Sequence, residues 1–356
     1  MKIAIIVPAL VNQGPVTVAR DIVSGILEEY DNVEFVVFYF DKSPEIEFPC
    51  KTLQIDLWKS IDFSEFDVIH THMLRPDFYV WLNRHKTKNI LKISTLHQNI
   101  VANLSASYNK LIAKTVFFFW IKFLKSFDKI VALSDVMKNT YASKFSKDSL
   151  LTIYNGRKLL KAVNKIEAEE EKKIFELKSK YNLIGVVALL TWRKGIHQLI
   201  EALTGLPNYA LIIIGNGQEL DVLKNLAIKL GVETRCYFLG YKKNGLDYMQ
   251  YFDTFAMTSY SEGFPLSVLE VSQFNKPVVC SSIPLFKEIF TEKEVSFFEL
   301  DNTESLKNAL LYANENKYDL SSNLNKKVNE KYSYNMMINR YMELYKLAEN
   351  SKNNIL

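Results

Sequence analysis

Short runs of Ile, Val and Leu alternate along this chain with longer stretches whose apolar positions recur every three or four residues. In the first half, 2–8, 33–40, 67–70, 90–95, 129–133 and 149–153 read as strands. Between them 15–29, 75–85, 106–127 and 135–145 read as helices. The pattern then restarts, with strands near 184–190, 209–214, 235–239, 254–258, 277–280 and 295–298 and helices at 196–204, 217–231, 244–251, 265–274 and 304–316. Apolar strands separated by helices imply parallel sheets covered on both faces. Two such sheets in 356 residues predict two α/β domains, 1–160 and 161–333. The acid- and lysine-rich stretch 157–180 reads as a solvated connector, helical in part. A last helix, 334–349, carries Met337, Tyr341, Leu344 and Tyr345 on one face and is expected to pack back on the first domain.

The chain is 48% hydrophobic and 24% charged, as ordinary soluble domains are. The most apolar run, Val116 to Ile121, ends at Lys122, well short of the about 20 residues that span a bilayer. The apolar start is followed by Asn12-Gln13-Gly14-Pro15 rather than a cleavage site, which favours a buried first strand over a signal peptide. Cys50, Cys236 and Cys280 are far apart, in keeping with a reducing compartment, and a cytoplasmic location is expected.

Ligands of open parallel sheets bind at the carboxyl ends of the strands. Four segments fall there: Asn12-Gln13-Gly14-Pro15, Thr191-Trp192-Arg193-Lys194-Gly195, Gly215-Asn216-Gly217 and Glu262-Gly263-Phe264-Pro265-Leu266-Ser267-Val268-Leu269-Glu270. The last is the most informative. It sets two carboxylates either side of a glycine, a proline and a helix start, with Pro265 suited to the first helical position. Helix-start amides bind phosphate. If the span were fully helical the carboxylates would stand about 12 Å apart, wider than the about 5–9.5 Å of a hydrolase pair. One carboxylate at each end of an elongated polar ligand is the expected arrangement. Glu270 lies on an otherwise apolar helix and needs a partner, whether a ligand hydroxyl or a salt bridge. Lys194, and Arg193 beside it, suit phosphate, with Gly195 allowing close approach.

Charge is uneven. Between Arg84 and Lys147 stand twelve Lys or Arg and two acids, with Tyr108, Phe117, Phe118, Phe119, Trp120, Phe123 and Phe127 interleaved. A basic aromatic helix is read as an anionic membrane-surface element, located in 84–147; the alternative is a core helix with a lysine-rich solvent side. No nucleic-acid recognition motif accompanies the charge. His70 and His72 share a strand face, which suggests metal, yet no third ligand has suitable spacing and no metal is expected. His97, at the end of a strand, is either packed or functional.

The ordered set of Gly14, Asp67-Val68-Ile69-His70-Thr71-His72, Thr95-Leu96-His97, Val131-Ala132-Leu133-Ser134, Ile153-Tyr154-Asn155-Gly156, Arg193-Lys194-Gly195, Ile213-Ile214-Gly215-Asn216-Gly217, Phe238-Leu239-Gly240-Tyr241, the Glu262–Glu270 element and Lys276-Pro277-Val278-Val279 resembles the family 4 retaining glycosyltransferases over nearly the whole chain. The resemblance implies the GT-B fold, two Rossmann-like doubly wound domains facing a deep cleft, and a hexosyltransferase type of activity. It implies transfer of sugar from a nucleoside diphosphate donor, expected to be a UDP-sugar, to a glycan or lipid-linked acceptor hydroxyl in surface polysaccharide assembly, with the nucleotide sugar as substrate rather than cofactor. It further implies that Glu270 holds the ribose, Glu262 contacts the transferred sugar, Lys194 offsets charge on the leaving diphosphate, and His97 sits by the reacting sugar. Donor contacts are implied at Gly263, Phe264, Pro265, Leu266, Gly215 and Tyr241, and Gly14 is expected to permit backbone contact with donor phosphate or acceptor. The family places an arginine five residues before the lysine, where this chain has Leu189, so Arg193 is expected to take over. Leu189 also motivates a second expectation, a sugar-nucleotide-binding protein without transfer; another GT-B enzyme, such as a nucleotide-sugar epimerase, is a third. Pro15 stands where the family's second loop glycine belongs.

Overall fold

The computed structural model describes residues 1–42, 45–98, 110–158 and 164–349. The chain forms two compact units, Met1–Lys158 with Tyr332–Leu356, and Leu159–Lys331.

Unit 1 holds strands β1 (Lys2–Ala9), β2 (Glu34–Asp41), β3 (Lys51–Gln54), β4 (Val68–His72), β5 (Leu91–Leu96), β6 (Lys129–Ala132) and β7 (Leu150–Thr152). They form one parallel sheet in the order β3-β2-β1-β4-β5-β6-β7. Its helices are α1 (Gly14–Glu29), α2 (Leu74–Leu82), α3 (Lys110–Leu124) and α4 (Asp135–Tyr141). The order reverses at β1, so the carboxyl ends of β1 and β4 flank a switch point, where such sheets bind ligands. Ile3, Ala4, Ile5 and Ile6 of β1 are wholly buried because helices cover both faces. Edge strand β3 had no apolar run to betray it; Lys51, Leu53 and Gln54 are exposed.

Unit 2 holds β8 (Asn182–Val187), β9 (Tyr209–Ile214), β10 (Cys236–Gly240), β11 (Thr254–Met257), β12 (Val278–Ser281) and β13 (Ser296–Phe298), in the order β10-β9-β8-β11-β12-β13. Its helices are α5 (Ala168–Lys178), α6 (His197–Ala202), α7 (Leu220–Lys229), α8 (Leu266–Ser272), α9 (Pro284–Ile289), α10 (Thr303–Glu315) and α11 (Lys317–Lys331). Helices α9 and α11 were not expected, and 245–251 is 3-10 rather than α-helical. The expected solvated connector is corrected in part. Its described portion contains α5, whose Ile174 and Leu177, one turn apart, are buried. Glu170 bonds Lys242 and Tyr248, and Glu171 accepts from Tyr251 at 2.6 Å.

Helix α12 (Tyr334–Tyr345) returns to unit 1 and packs along α1. Its Tyr334 hydroxyl donates to the Asp21 carbonyl at 2.8 Å. Among the described residues no helix is long and apolar enough to cross a membrane. The expected helix 106–127 is seen as α3; residues 106–109, Tyr108 among them, lie outside the described residues. Its aromatics divide: Trp120 and Phe127 are core, whereas Phe118 and Phe119 are exposed.

Candidate active site

In unit 2 the ends of neighbouring strands β8 and β11 are laced together. A 3-10 turn, Trp192–Lys194, closes on Gly195 at φ +62°, ψ +25°. A Cβ there would stand 2.2 Å from the Thr258 carbonyl oxygen, so only glycine fits on both counts. Thr258 Oγ1 donates to the Lys194 carbonyl at 2.9 Å, and the Tyr260 amide donates to the Arg193 carbonyl at 2.9 Å. Trp192 stacks flat on Tyr260, centroids 4.4 Å apart.

This lacing brings three expected site residues together. Lys194 Nζ lies 2.5 Å from Glu262 Oε1, which also accepts from Ser259 Oγ at 2.6 Å. Arg193 donates to Glu262 Oε2 at 3.3 Å and to the Ser261 carbonyl. The Glu262 side chain is 7% exposed. Burial opposes its ionisation, but the Lys194 and Arg193 charges prevail and hold the carboxyl below the usual range. Two cations against one carboxylate leave this corner one positive charge in excess, suited to an anion.

The Glu262–Glu270 element departs from expectation at its centre. Pro265 is not the first helical residue but precedes it, at φ −83°, ψ +64°. The Leu266 amide turns back to the Phe264 carbonyl at 3.0 Å, an inverse γ-turn. That amide is therefore engaged within the turn, and the span is helical only from Leu266, so a 1.5 Å rise per residue does not extend back to Glu262. Gly263, Phe264 and Pro265 are buried, and Glu270 is half-buried on α8. Gly215, at φ +142°, abuts the Ala188 carbonyl, where a Cβ would come within 1.8 Å; its glycine is required by packing of the β9 end on the β8 end. Tyr241 and Leu189 stand exposed beyond β10 and β8, Leu189 at 64%.

In unit 1, Gly14 opens α1 beyond β1 and is exposed. His97 follows β5, and its Nε2 lies 2.7 Å from His72 Nδ1 at the end of β4, the rings stacked 5.0 Å apart. His70, on the same strand face as His72, bonds Tyr345 at 2.7 Å and Thr95 at 2.8 Å. Burial lowers all three imidazoles, His70 and His97 to about 3, so the group is neutral near pH 7. Among the described residues no group of three or more His, Cys, Asp or Glu is arranged to hold a metal ion.

Three features here escaped the sequence. His72 partners His97 only through the strand register, which sets His72 opposite Thr95, two residues before His97. Asp77, wholly buried, accepts from Thr71, Ser94 and Trp120 Nε1; burial drives its carboxyl up to about 7, against the pull of those donors. Met73, between β4 and α2, has φ +79° and ψ +168°, a conformation nearly confined to glycine that marks functional loops.

Family models for "Glycosyltransferase Family 4" and "Glycosyl transferases group 1" match residues 7–159 and 167–333. The chain is similar to the O-antigen biosynthesis glycosyltransferase WclY of Escherichia coli, 31% identical over 97% of this chain and 98% of that protein. The chain belongs to glycosyltransferase family 4. This family 4 enzyme is also 23% identical to the UDP-Gal:alpha-D-GlcNAc-diphosphoundecaprenol alpha-1,3-galactosyltransferase of Escherichia coli, over 82% of this chain and 78% of that one. Its fold is similar to that of Anabaena HepE in complex with UDP-glucose, TM-score 0.80 at 18% identity, covering 97% and 99% of the two chains. The GT-B architecture of paired parallel-sheet domains is thus that of a glycosyltransferase.

Proposed function

We propose that this family 4 glycosyltransferase moves a sugar from a UDP-linked donor to a hydroxyl of a glycan or polyprenyl-diphosphate-linked acceptor, with retention of configuration, in O-antigen or related surface polysaccharide assembly. The observation that carries the reading is the Arg193–Lys194–Glu262 corner, half-buried and one positive charge in excess. WclY is named for O-antigen biosynthesis, and the galactosyltransferase relative uses a UDP-sugar and a diphosphoundecaprenol acceptor.

In this scheme unit 2 takes the donor. Lys194 and Arg193 meet the diphosphate, Glu262 holds both cations in place and faces the sugar, and Glu270 takes ribose hydroxyls. The bond from the anomeric carbon to the diphosphate oxygen breaks, its electron pair leaving with the diphosphate. The acceptor oxygen bonds that carbon on the same face, and its proton passes to the departing diphosphate oxygen. Positive charge fixed where negative charge develops is a large catalytic term. The leaving group's charge is met by side chains, so the scheme calls for no metal. His97 is neutral near pH 7, so in this scheme it acts through hydrogen bonds and does not serve as a cationic acid.

Thermal shifts with UDP, GDP and ADP, then transfer from UDP-sugars to lipid-linked saccharides in membrane extracts, test the reading. UDP is expected to stabilise most. Stabilisation by none of the three, with no transfer, rejects it. The anomeric proton coupling of the product reports retention.

A peripheral position on anionic membrane is part of the reading. Phe118 and Phe119 are exposed on α3 beside exposed Lys114, Lys122 and Lys125. Each lysine near anionic lipid contributes about 1 kcal/mol. Flotation with phosphatidylglycerol vesicles is expected, and phosphatidylcholine vesicles should leave the protein behind; equal absence from both removes this part.

A further inference from the structure

At the β3 edge of the unit 1 sheet lies a cup of about 530 Å³, lined among others by Asp41, Gln54, Asp56, Trp58 and Arg75. It opens at the carboxyl ends of β2 and β3, the end of the sheet at which Gly14 and His97 also follow their strands. Its size suits a small ligand. No residue of it enters the scheme above.

Trp58 is 77% exposed, with Phe78 meeting it edge-on at 6.4 Å. The exposed indole offers a broad apolar face beside a built polar rim, the pairing of features by which Trp serves at binding surfaces. The rim is ordered. Asp56 Oδ1 accepts from the Trp58 amide at 2.8 Å, which fixes the turn that presents the indole. Arg75 grips Asp41 through two bonds, at 2.8 and 2.6 Å, and lies over the Phe40 ring. The Arg75 hydrogen bonds hold the Asp41 carboxyl below the usual range, so it stays an acceptor. Gln54 is tied to the Phe40 carbonyl at 2.8 Å.

The chemistry selects among ligands. Two carboxylates and one arginine already committed to Asp41 repel a phosphate. A flat apolar face ringed by hydrogen-bond acceptors suits a molecule with a C–H face and hydroxyl donors at its rim. We propose that this cup is a glycan subsite that takes an uncharged pyranose of the acceptor, its ring on Trp58 and its hydroxyls on Asp56 and Asp41. The proposal rests on the acceptor being a glycan, as in the function above.

The test is an array of bacterial O-antigen and lipopolysaccharide-core oligosaccharides, probed with the whole protein and its Trp58→Ala and Asp56→Asn variants. Trp58 is at the surface, so its removal should leave the fold and the UDP-induced thermal shift unchanged. Wild type is expected to bind one or more neutral glycans, and Trp58→Ala to lose about tenfold or more in affinity for each, with Asp56→Asn shifted the same way. Equal binding by wild type and Trp58→Ala, or no binding of any neutral glycan by wild type, overturns the subsite. If UDP binding and transfer persist while Trp58→Ala leaves the half-saturating acceptor concentration unmoved, the cup falls and the function stands. If glycans bind through Trp58 and no nucleotide binds, the reverse holds.

Discussion

His72 Nδ1 and His97 Nε2 face each other across 2.7 Å, and the other nitrogen of His72, Nε2, is buried with no partner among the described residues. A buried N–H without an acceptor is rarer than a buried acceptor without a donor. The shared proton therefore belongs to His72 Nδ1, His97 accepts it at Nε2, and His97 carries its own proton on Nδ1. Nitrogen-15 spectra of the imidazoles are expected to show both rings as neutral Nδ1–H tautomers from pH 5 to 8. A His97 signal titrating near 6.5 contradicts this. His72→Phe removes the partner that orients His97 and should lower turnover by ~10-fold or more.

Glu262 is held by charges from a loop 68 residues away in sequence. Its carboxyl has a lower pKa folded than unfolded, so its stabilisation is complete above the unfolded value of 4.5 and is lost as pH falls through the native value. Glu262→Gln should cost about 3 kcal/mol at pH 7, the usual scale for breaking a buried pair, and should lessen the stability lost below pH 4.5. Urea titrations at pH 7, 4.5 and 3 measure both. Lys194→Ala should reduce turnover by ~10²–10³ in the transfer assay; an unchanged rate removes Lys194 from the scheme.

Leu189 is exposed where the family's arginine belongs, and the Arg193 guanidinium points to Glu262 and Ser261. Leu189→Arg adds a cation on the β8 side without disturbing packing. Calorimetry should find UDP bound about tenfold tighter. Unaltered affinity would mean that Arg193 and Lys194 already supply the full positive complement.

Asp77 shifts the opposite way from Glu262. Its folded pKa, about 7, exceeds the unfolded 3.8. The folded state binds the extra proton between these values, so this group's stabilisation is full below 3.8 and declines as pH rises toward 7. Asp77→Asn, which keeps an acceptor oxygen for Thr71, Ser94 or Trp120, should flatten the stability profile between pH 4 and 7. An identical slope in both proteins would show that Asp77 titrates normally.

Strands such as Tyr209–Ile214 were legible to the residue because an interior parallel strand is apolar on both faces. The loops at the carboxyl ends of the strands followed from the alternation of strands and helices alone. Pairings were not legible. Nothing local to Glu262 names Lys194 as its partner, since the contact exists only because β8 and β11 are neighbours. Pro265 misled for a related reason: proline suits a helix start and a γ-turn equally, and here the Leu266 amide closes the γ-turn on the Phe264 carbonyl. The aromatic stretch 117–127 looked uniform but serves two masters, with Trp120 anchored on Asp77 and Phe118 turned to solvent.

The hydroxyls of Tyr341 and Tyr345 on α12 complete the bonding of Thr95 and His70 at the heart of the first sheet. A ribosome delivers those tyrosines only after the whole of unit 2 has emerged. Until then the first unit lacks the Tyr345 bond to its central histidine. No single cut can release it intact, and expressing 1–158 alone should give a chain that binds exposed-hydrophobe dyes and precipitates.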